Sequence, residues 1–379
     1  MFGWRKRAVF AVAGTLLLAG IWAVSRPGPN GLPDLPPTGD RLPFQLSDSE
    51  FWRMIEDFSE PDGYFRSDNF LSNEAGYQHV LPKIKHRVKP GGIYIGVGPE
   101  QNFTYVLSLE PKLSFIVDIR RLNMLEHLLY KGLFELSTDR ADFVSRLFSR
   151  ARPKGLYESA SIAEIFDAYE NVLADRTLFE RNLTAVLNRL LQAHQSRLSR
   201  DDHDRIRYVY NAFFQSGPEL SYTFRDTYYQ GTLGMPTYKD LMLDTDGKTN
   251  QGFLASEERF RRLQDIQRKN LIVPLVGDFA GPKTLRAIGE YLRQHDATLS
   301  TFYLSNVETY LFQEDNAWIR FYGNVSSIPT NSESTFIRFA ANPGRASHLN
   351  QVWSPVHEIL AAVRARKIED YAGVIEMSR

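Results

Sequence analysis

The chain of 379 residues contains no cysteine. This absence excludes disulfide bonds, thiolate metal ligands, a cysteine nucleophile and the acylated cysteine of a lipoprotein. It suits an oxidising compartment without requiring one. Neither sign of charge is in excess, because 45 Lys and Arg residues balance 45 Asp and Glu residues. No long-range field therefore favours nucleic acid as a partner.

Several enzyme signatures are also missing. The sequence has no Gly-x-Ser-x-Gly elbow, no Walker phosphate loop and no His-Glu-x-x-His zinc helix. A hydrolase therefore lacks a recognisable nucleophile, and no group of residues predicts a metal site. The content of 43% hydrophobic and 24% charged residues is that of a globular protein, and the length suits one large domain or two ordinary ones.

The amino end has the pattern of a targeting segment. Three basic residues at positions 5 to 7 precede an uncharged, mostly apolar run over residues 8–24. Such a run is either a secretory signal or a short membrane anchor. We favour an uncleaved single-pass anchor over residues 1–25, because bulky Ile21 and Trp22 crowd the cleavage region. The basic flank predicts that the rest of the chain lies on the outer, periplasmic or extracytoplasmic side.

Residues 26–46 are rich in proline and glycine and predict an extended tether. The folded α/β domain is expected over residues 47–379, beginning at a capping box formed by Ser47 and Glu50.

A glycine turn between two apolar strands is the main functional signal. Gly96 and Gly98 follow a short apolar run, and Asp118 ends a second run, 22 positions after Gly96. One strand-helix-strand unit that binds an adenosine group needs about 20 positions between these features. The pattern predicts a doubly wound, mostly parallel α/β sheet. A plain strand-to-helix turn, with Asp118 capping the next helix, is the alternative.

An acid in the same turn narrows the ligand class. Glu100 stands at the start of the following helix, where a carboxylate competes with a pyrophosphate for the positive amide groups. A dinucleotide is therefore disfavoured, whereas a ligand with a cationic ammonium group and no phosphate is tolerated.

Residues 92–118 resemble the first motif and the second-strand acid of class I S-adenosylmethionine-dependent methyltransferases. The block Asn270 to Asn306 is similar to their fourth strand, following helix and fifth strand. The run Tyr94 to Asn123 also resembles a family of uncharacterised bacterial membrane-anchored proteins.

The methyltransferase resemblance implies S-adenosylmethionine as the cofactor and no metal. In it, Gly96 and Gly98 lie against the methionine part, Asp118 binds the ribose, and Asp278 faces the reacting methyl group as the candidate catalytic residue. Asp278 as a turn residue is the alternative. The expected cofactor-binding set is Gly96, Gly98, Glu100, Asn102 and Asp118.

Outside this motif, helical spacing and turn chemistry predict the remaining organisation. Residues 156–265 are expected to form a helical cap with an aromatic loop, inserted after the second strand. Polar residues 67–74 either close over a ligand or form a solvated loop before a helix. Other expected elements are a helix over 74–87, an apolar helical stripe from Leu122 to Leu133, strands over 271–278, 299–306 and 336–339, a helix opening at Pro282, and a closing helix over 356–367.

Two functions follow from these patterns. The first is a membrane-tethered protein that binds S-adenosylmethionine, with methyl transfer to an unidentified substrate as its reaction. The second is a non-catalytic envelope binding or scaffold module, because Tyr94 and Glu100 depart from the methyltransferase motif. In both, the expected partners are the membrane and a small-molecule ligand, and the sequence leaves the oligomeric state open.

Overall fold

The computed structural model describes residues 40–193, 195–222, 235–341 and 349–379. The predicted anchor, most of the tether and the centre of the aromatic loop (223–234) lie outside the described residues. Within the described ranges, no helix is both long and apolar enough to cross a membrane. Residues 40–379 group as one compact unit.

A six-stranded sheet runs through this unit in the order β3-β2-β1-β4-β5-β6. Strands β1 to β5 are parallel, and β6 pairs antiparallel with β5. The prediction of an α/β protein with a mostly parallel sheet is therefore confirmed. The strands are β1 (Ile93–Gly96), β2 (Leu113–Asp118), β3 (Ile272–Val276), β4 (Leu299–Tyr303), β5 (Thr330–Ala341) and β6 (Leu349–Pro355).

The apolar runs explain why these segments form the centre of the sheet. Every residue of β1, β2 and β3 is buried, as expected for parallel strands covered on both faces. Pro274 lies within β3, which is the last strand on its side of the sheet. Proline is tolerated there because an edge strand leaves one row of amide groups without a ladder partner.

The strand order corrects one sequence expectation. The block from Asn270 to Asn306 was expected to hold a fourth and a fifth strand. Within the described chain it holds β3, which pairs directly with β2, and β4, which pairs with β1. Asp278 therefore follows the outer strand beside β2, and the position after β4 belongs to Ser305 and Asn306.

Helices cover the sheet and fill the long connection between β2 and β3. The described part of that connection contains α4 to α10 and no strand, with α6 to α9 and most of α10 inside the segment expected to be a helical cap. The helices are α1 (Asp48–Phe58), α2 (Leu81–Ile84), α3 (Gln101–Leu109), α4 (Arg121–Leu136), α5 (Arg140–Phe148), α6 (Ile162–Tyr169), α7 (Arg176–Asn188), α8 (Arg200–Ser216), α9 (Tyr238–Leu243), α10 (Glu257–Arg268), α11 (Thr284–Gln294), α12 (Val307–Leu311), α13 (Ala317–Val325), α14 (Val356–Arg364) and α15 (Tyr371–Glu376).

Local signals account for most helix boundaries. The capping box before α1 is present, with Ser47 and Glu50 exchanging hydrogen bonds. The helix expected over 74–87 is shorter: a 3-10 turn (Tyr77–Val80) leads into α2. Gly76 has a φ of 76°, a left-handed conformation that an α-helix cannot contain.

Helix α11 begins at Thr284, two residues later than expected from Pro282. The carboxylate of Glu60, distant in sequence, accepts hydrogen bonds from the amides of Lys283 and Thr284. A tertiary contact therefore sets this start, because it satisfies amide groups that a helix leaves free. The closing helix α14 ends at Arg364, three residues before the expected end.

Candidate functional site

A cavity of about 270 Å³ lies where the carboxyl ends of four parallel strands meet. Its walls include Gly98 after β1, Asp118 at the end of β2, Asp278 after β3, and Ser305 and Asn306 after β4. The strand order reverses direction between β1 and β4, and ligands of open α/β sheets bind outside such a point. Three of the six candidate residues chosen from sequence, Gly98, Asp118 and Asp278, are thus brought to one cavity.

The turn after β1 is held from within by Asn102. Its buried side-chain amide donates to the carbonyls of Val97, Gly98 and Pro99 at 2.8 to 3.0 Å. Its oxygen accepts a hydrogen bond of 2.8 Å from the hydroxyl of Tyr94. Asn102 is not among the residues that line the cavity, so it positions the turn and does not contact a ligand there.

The two glycines have different roles. A Cβ atom on Gly96 would lie 2.0 Å from the Asn102 side-chain oxygen, so this glycine makes room for the Asn102 side chain. Gly98 has a φ of 79°, which disfavours any side chain, and it lines the cavity. A ligand in the cavity can therefore approach the backbone closely at Gly98. Gly96 contributes indirectly, because its lack of a side chain lets Asn102 hold the turn.

Glu100 is buried at the start of α3 and is absent from the cavity wall. One of its carboxylate oxygens accepts the amide of Ser72 at 3.2 Å, and the other has no partner. Burial, with a smaller effect from the carboxylate of Glu74, raises the pKa of Glu100 to about 7. This carboxyl group occupies the helix start where a phosphate would otherwise bind.

Asp118 forms a buried ion pair with Arg120. Its two carboxylate oxygens accept hydrogen bonds from the guanidinium, each at 2.9 Å, and one also accepts the Arg120 amide at 2.9 Å. Arg120 continues to the carbonyls of Ser67 and Asp68. The first amide of α4, that of Arg121, donates to Asp62 at 2.7 Å, so Asp118 fixes the turn before the helix and does not cap it. A ribose that reaches this carboxylate meets a group that is already paired.

Asp278 lines the cavity and follows the edge strand β3. One of its carboxylate oxygens accepts the amide of Ala280 at 2.8 Å, as in a tight turn. Its own amide donates to Glu60 at 3.1 Å. The residue is partly exposed and lines the cavity, so it combines the turn role with access to a ligand.

The pairing of Ser305 with Glu74 is a feature that sequence reasoning missed. Ser305 has a φ of 50°, lines the cavity and donates its hydroxyl to Glu74. Glu74 also accepts a hydrogen bond of 2.8 Å from Gln351, and burial raises its pKa to about 7. The signals in the sequence were the polar pair Ser305 and Asn306 at the end of an apolar run and the place of Glu74 at the end of the polar segment 67–74.

Three of the polar residues before β1 lie in the cavity wall. Asn69, Ser72 and Asn73 line the cavity, and Asn69 has a φ of 52°. Aromatic side chains of Tyr64 and Phe65 lie beside them in the wall. A non-glycine residue in the left-handed region is strained, and such strain clusters at ligand sites.

His127 supports the cavity from α4. Its Nε2 lies 2.9 Å from the carbonyl oxygen of Gly98. Because a carbonyl only accepts, Nε2 carries the hydrogen, and Nδ1 is a bare acceptor without a partner. Burial lowers the pKa of His127 to about 4, so the ring is neutral at physiological pH.

The fold and the cavity define an α/β protein with a polar, partly aromatic site at the carboxyl ends of its parallel strands. A family model described as a domain of unknown function (DUF7790) matches residues 69–212 and 160–370. These matches cover well over half of the chain, so the protein belongs to this family. A comparison with curated proteins found no match.

Proposed function

We propose that the cavity binds an adenosine-containing ligand without a phosphate group, with S-adenosylmethionine as the leading candidate. The observation that carries this proposal is the meeting of Gly98, Asp118 and Asp278 in one cavity. Each follows or ends a different parallel strand, and each belongs to the set that the methyltransferase resemblance selects.

The sheet supports a doubly wound, methyltransferase-like reading of the fold. The order β3-β2-β1-β4-β5-β6 matches the common order of doubly wound sheets, with the last strand reversed. The cavity volume of about 270 Å³ is close to the lower end of small-molecule pockets, which span about 300 to 1,000 Å³. That size favours a single nucleoside-sized ligand over a dinucleotide.

The charges of the wall favour a cationic ligand. Among the described residues, three carboxylates, those of Asp118, Asp278 and Glu314, line the cavity together with the single guanidinium of Arg120. Glu100 lies behind the wall at the start of α3, where it opposes a phosphate. A sulfonium or ammonium group is compatible with this balance, and an added anion is not.

The wall also offers the contacts that an adenosine group needs. Aromatic rings of Phe65 and Tyr310, 5.3 Å apart between centroids, provide apolar surface for a purine. In the proposed complex the ribose lies near Asp118 and the base extends towards Asp278. The other end of the ligand then points towards Gly98 and Ser305.

S-adenosylmethionine supplies an electrophilic methyl group, so the reaction proposed for this site is methyl transfer to an unidentified acceptor. The chain would contribute mainly by positioning, through the rigid glycine turn and the strand ends. Asp278 follows the outer strand, so we now propose a binding role for it and assign the reacting end to the side of Ser305 and Asn306.

One observation favours the second candidate function, a non-catalytic envelope binding or scaffold module. Both carboxylate oxygens of Asp118 are already hydrogen-bonded by Arg120, so ribose hydroxyls have to share this acceptor. In this protein the fold is retained, but the acid expected to bind the ribose is already paired with Arg120. This arrangement is consistent with a module that binds a ligand without reacting with it.

Titration calorimetry of the full-length protein with S-adenosylmethionine and with its demethylated product tests the proposal. We expect binding by the wild type and its loss in Gly98→Val, because the new side chain projects from a wall residue. Gly155→Val is the matched control: Gly155 also has a positive φ, 84°, but nothing lies within 4 Å of its Cβ position. The control should share the backbone strain and keep binding.

No heat from either ligand at millimolar concentration rules out the adenosine site and leaves the scaffold function. Binding that is equal in the wild type and in Gly98→Val places the ligand elsewhere. Binding without methyl transfer to any component of an envelope extract favours the non-catalytic module.

A further inference from the structure

One face of α4 is polar although it is buried in the protein. Asn123, Glu126, His127 and Tyr130 stand at intervals of three, one and three residues, which places them along one side of the helix. Each is at most 2% exposed. We call these four residues the α4 polar face.

Several polar atoms of the α4 polar face have no hydrogen-bond partner among the described residues. Both oxygens of Glu126, both polar atoms of Asn123 and Nδ1 of His127 are buried in this way. Burying a polar group without a partner is unfavourable, so a concentration of such atoms on one helix face points to an occupant.

A neighbouring element adds a further unpaired atom of the same kind. The free carboxylate oxygen of Glu100, at the start of α3, is also buried without a partner among the described residues. The charge of Glu100 raises the pKa of Glu126, and Tyr238, on α9, forms a side-chain hydrogen bond with Tyr130.

The charges around Glu126 are predominantly negative. Glu100, Asp118 and Asp68 are the carboxylates that act on it, and Arg120 is the cation. Arg120 is already bound by both oxygens of Asp118. Burial and the charge of Glu100 raise the pKa of Glu126 well above its usual range. A positively charged occupant would reverse this effect.

We propose that the α4 polar face is a binding site for a primary ammonium group. When Glu126 and Glu100 are ionised, acceptors are in excess there: Glu126 offers two oxygens, Glu100 and Asn123 one each, and His127 its Nδ1, whereas the amide nitrogen of Asn123 is the one unpaired donor among these atoms. A water molecule brings as many donors as acceptors and leaves the excess unchanged. An ammonium group brings only donors and the missing positive charge. The site adjoins the proposed adenosine site, because His127 contacts Gly98, and because Asp118 and Arg120, which line that cavity, act on Glu126.

The ammonium ion is the simplest probe of this site. The thermal midpoint of the full-length protein is measured at pH 8 in ammonium chloride, sodium chloride and tetramethylammonium chloride of matched ionic strength. We expect a saturable rise of the midpoint in ammonium alone, because a ligand that binds the folded state stabilises it. Tetramethylammonium carries the same charge but no N–H donor, so it should behave as sodium does.

Glu126→Gln should abolish the rise, because it removes the charge that the ammonium needs. Glu74→Gln is the control, since Glu74 is equally buried but its oxygens are bound by Ser305 and Gln351. The control should keep the rise. In the wild type the rise should also shrink as pH falls and Glu126 takes up a proton.

A second measurement keeps the test decisive where Glu126→Gln does not fold. In ¹⁵N-edited proton spectra of ¹⁵N-labelled ammonium, a bound ion gives a resonance distinct from that of the free ion. Equal midpoints in all three salts, an unchanged rise in Glu126→Gln, or a free-ion resonance alone would overturn the proposal and leave ordered water at the α4 polar face. The adenosine titrations are a separate measurement, so failure of this proposal is distinguishable from failure of the proposed function.

Discussion

Replacing Glu100 by glutamine should make the protein less sensitive to pH. Glu100 is fully buried, and its pKa is raised from 4.5 to about 7 in the folded protein. In the unfolded chain the group ionises near 4.5, so the folded state holds the proton more tightly between the two values. Stability contributed by the protonated group is complete below pH 4.5 and is lost as pH rises to about 7.

The size of the effect follows from the shift. A difference of one pKa unit corresponds to about 1.36 kcal/mol, so the shift to about 7 corresponds to about 3 kcal/mol. Glutamine keeps the oxygen that accepts the amide of Ser72, and its NH₂ group replaces an oxygen that has no partner. Glu100→Gln therefore loses no hydrogen bond and escapes the cost of ionisation.

Urea unfolding at half-unit steps between pH 4.5 and 8.5 measures the difference between the variant and the wild type. The difference should grow in favour of Glu100→Gln by about 3 kcal/mol up to pH 7 and then stay level. Glu74, whose pKa is also raised to about 7, remains in both proteins, so its contribution largely cancels. Glu290→Gln is the control, because Glu290 is exposed and its pKa is lowered by Arg293. A difference that is independent of pH for Glu100→Gln would refute the assignment of a buried, proton-retaining carboxyl group.

Three further outcomes are expected. Asp118→Ala should lower the free energy of unfolding by about 3 to 5 kcal/mol, because it leaves the buried Arg120 without its partner; Asp118→Ala with Arg120→Met should recover part of this in urea titrations. Arg338→Met should lower the free energy of unfolding by a similar amount, because it leaves the buried carboxylate of Glu308 without its ion-pair partner. Adding Glu308→Gln should restore stability, whereas a single variant as stable as the wild type would contradict the pairing. The full-length protein should fractionate with membranes through residues 1–25, and protease added outside intact spheroplasts should remove its domain, whereas protection places the domain in the cytoplasm.

The structure changes the loss of stability that is expected for Asp118→Ala. From sequence alone, removal of Asp118 is expected to leave stability nearly unchanged or to cost the roughly 1 kcal/mol of a helix cap. The ion pair with Arg120 makes a larger loss the expected result. Gly98→Val is the cleaner test of binding, because its strain is matched by that of Gly155→Val.

Local interactions are the part of this protein that the sequence determined. The capping box of Ser47 and Glu50 lies within one helical turn, so residues that are close in the sequence determine its geometry. The apolar strands, the Gly98 turn and the buried leucine stripe of α4 are equally local, because each depends on periodicity or on backbone freedom over a few residues. These features were sufficient to predict an α/β sheet and three of the residues that line its cavity.

Only the tertiary structure decided which strands are neighbours and which charges meet. The segment Ile272–Val276 reads as a buried strand in any position, and its pairing with β2 depends on how the long helical connection packs. The carboxylate of Glu74 and the hydroxyl of Ser305 lie 231 residues apart in the chain, so no local pattern could join them. Glu126 looks like an ordinary polar residue of an amphipathic helix. Its side chain is buried without a partner among the described residues because other elements pack over that face of α4. A charge that is removed from water in this way favours binding of an opposite charge, which a solvated carboxylate does not need.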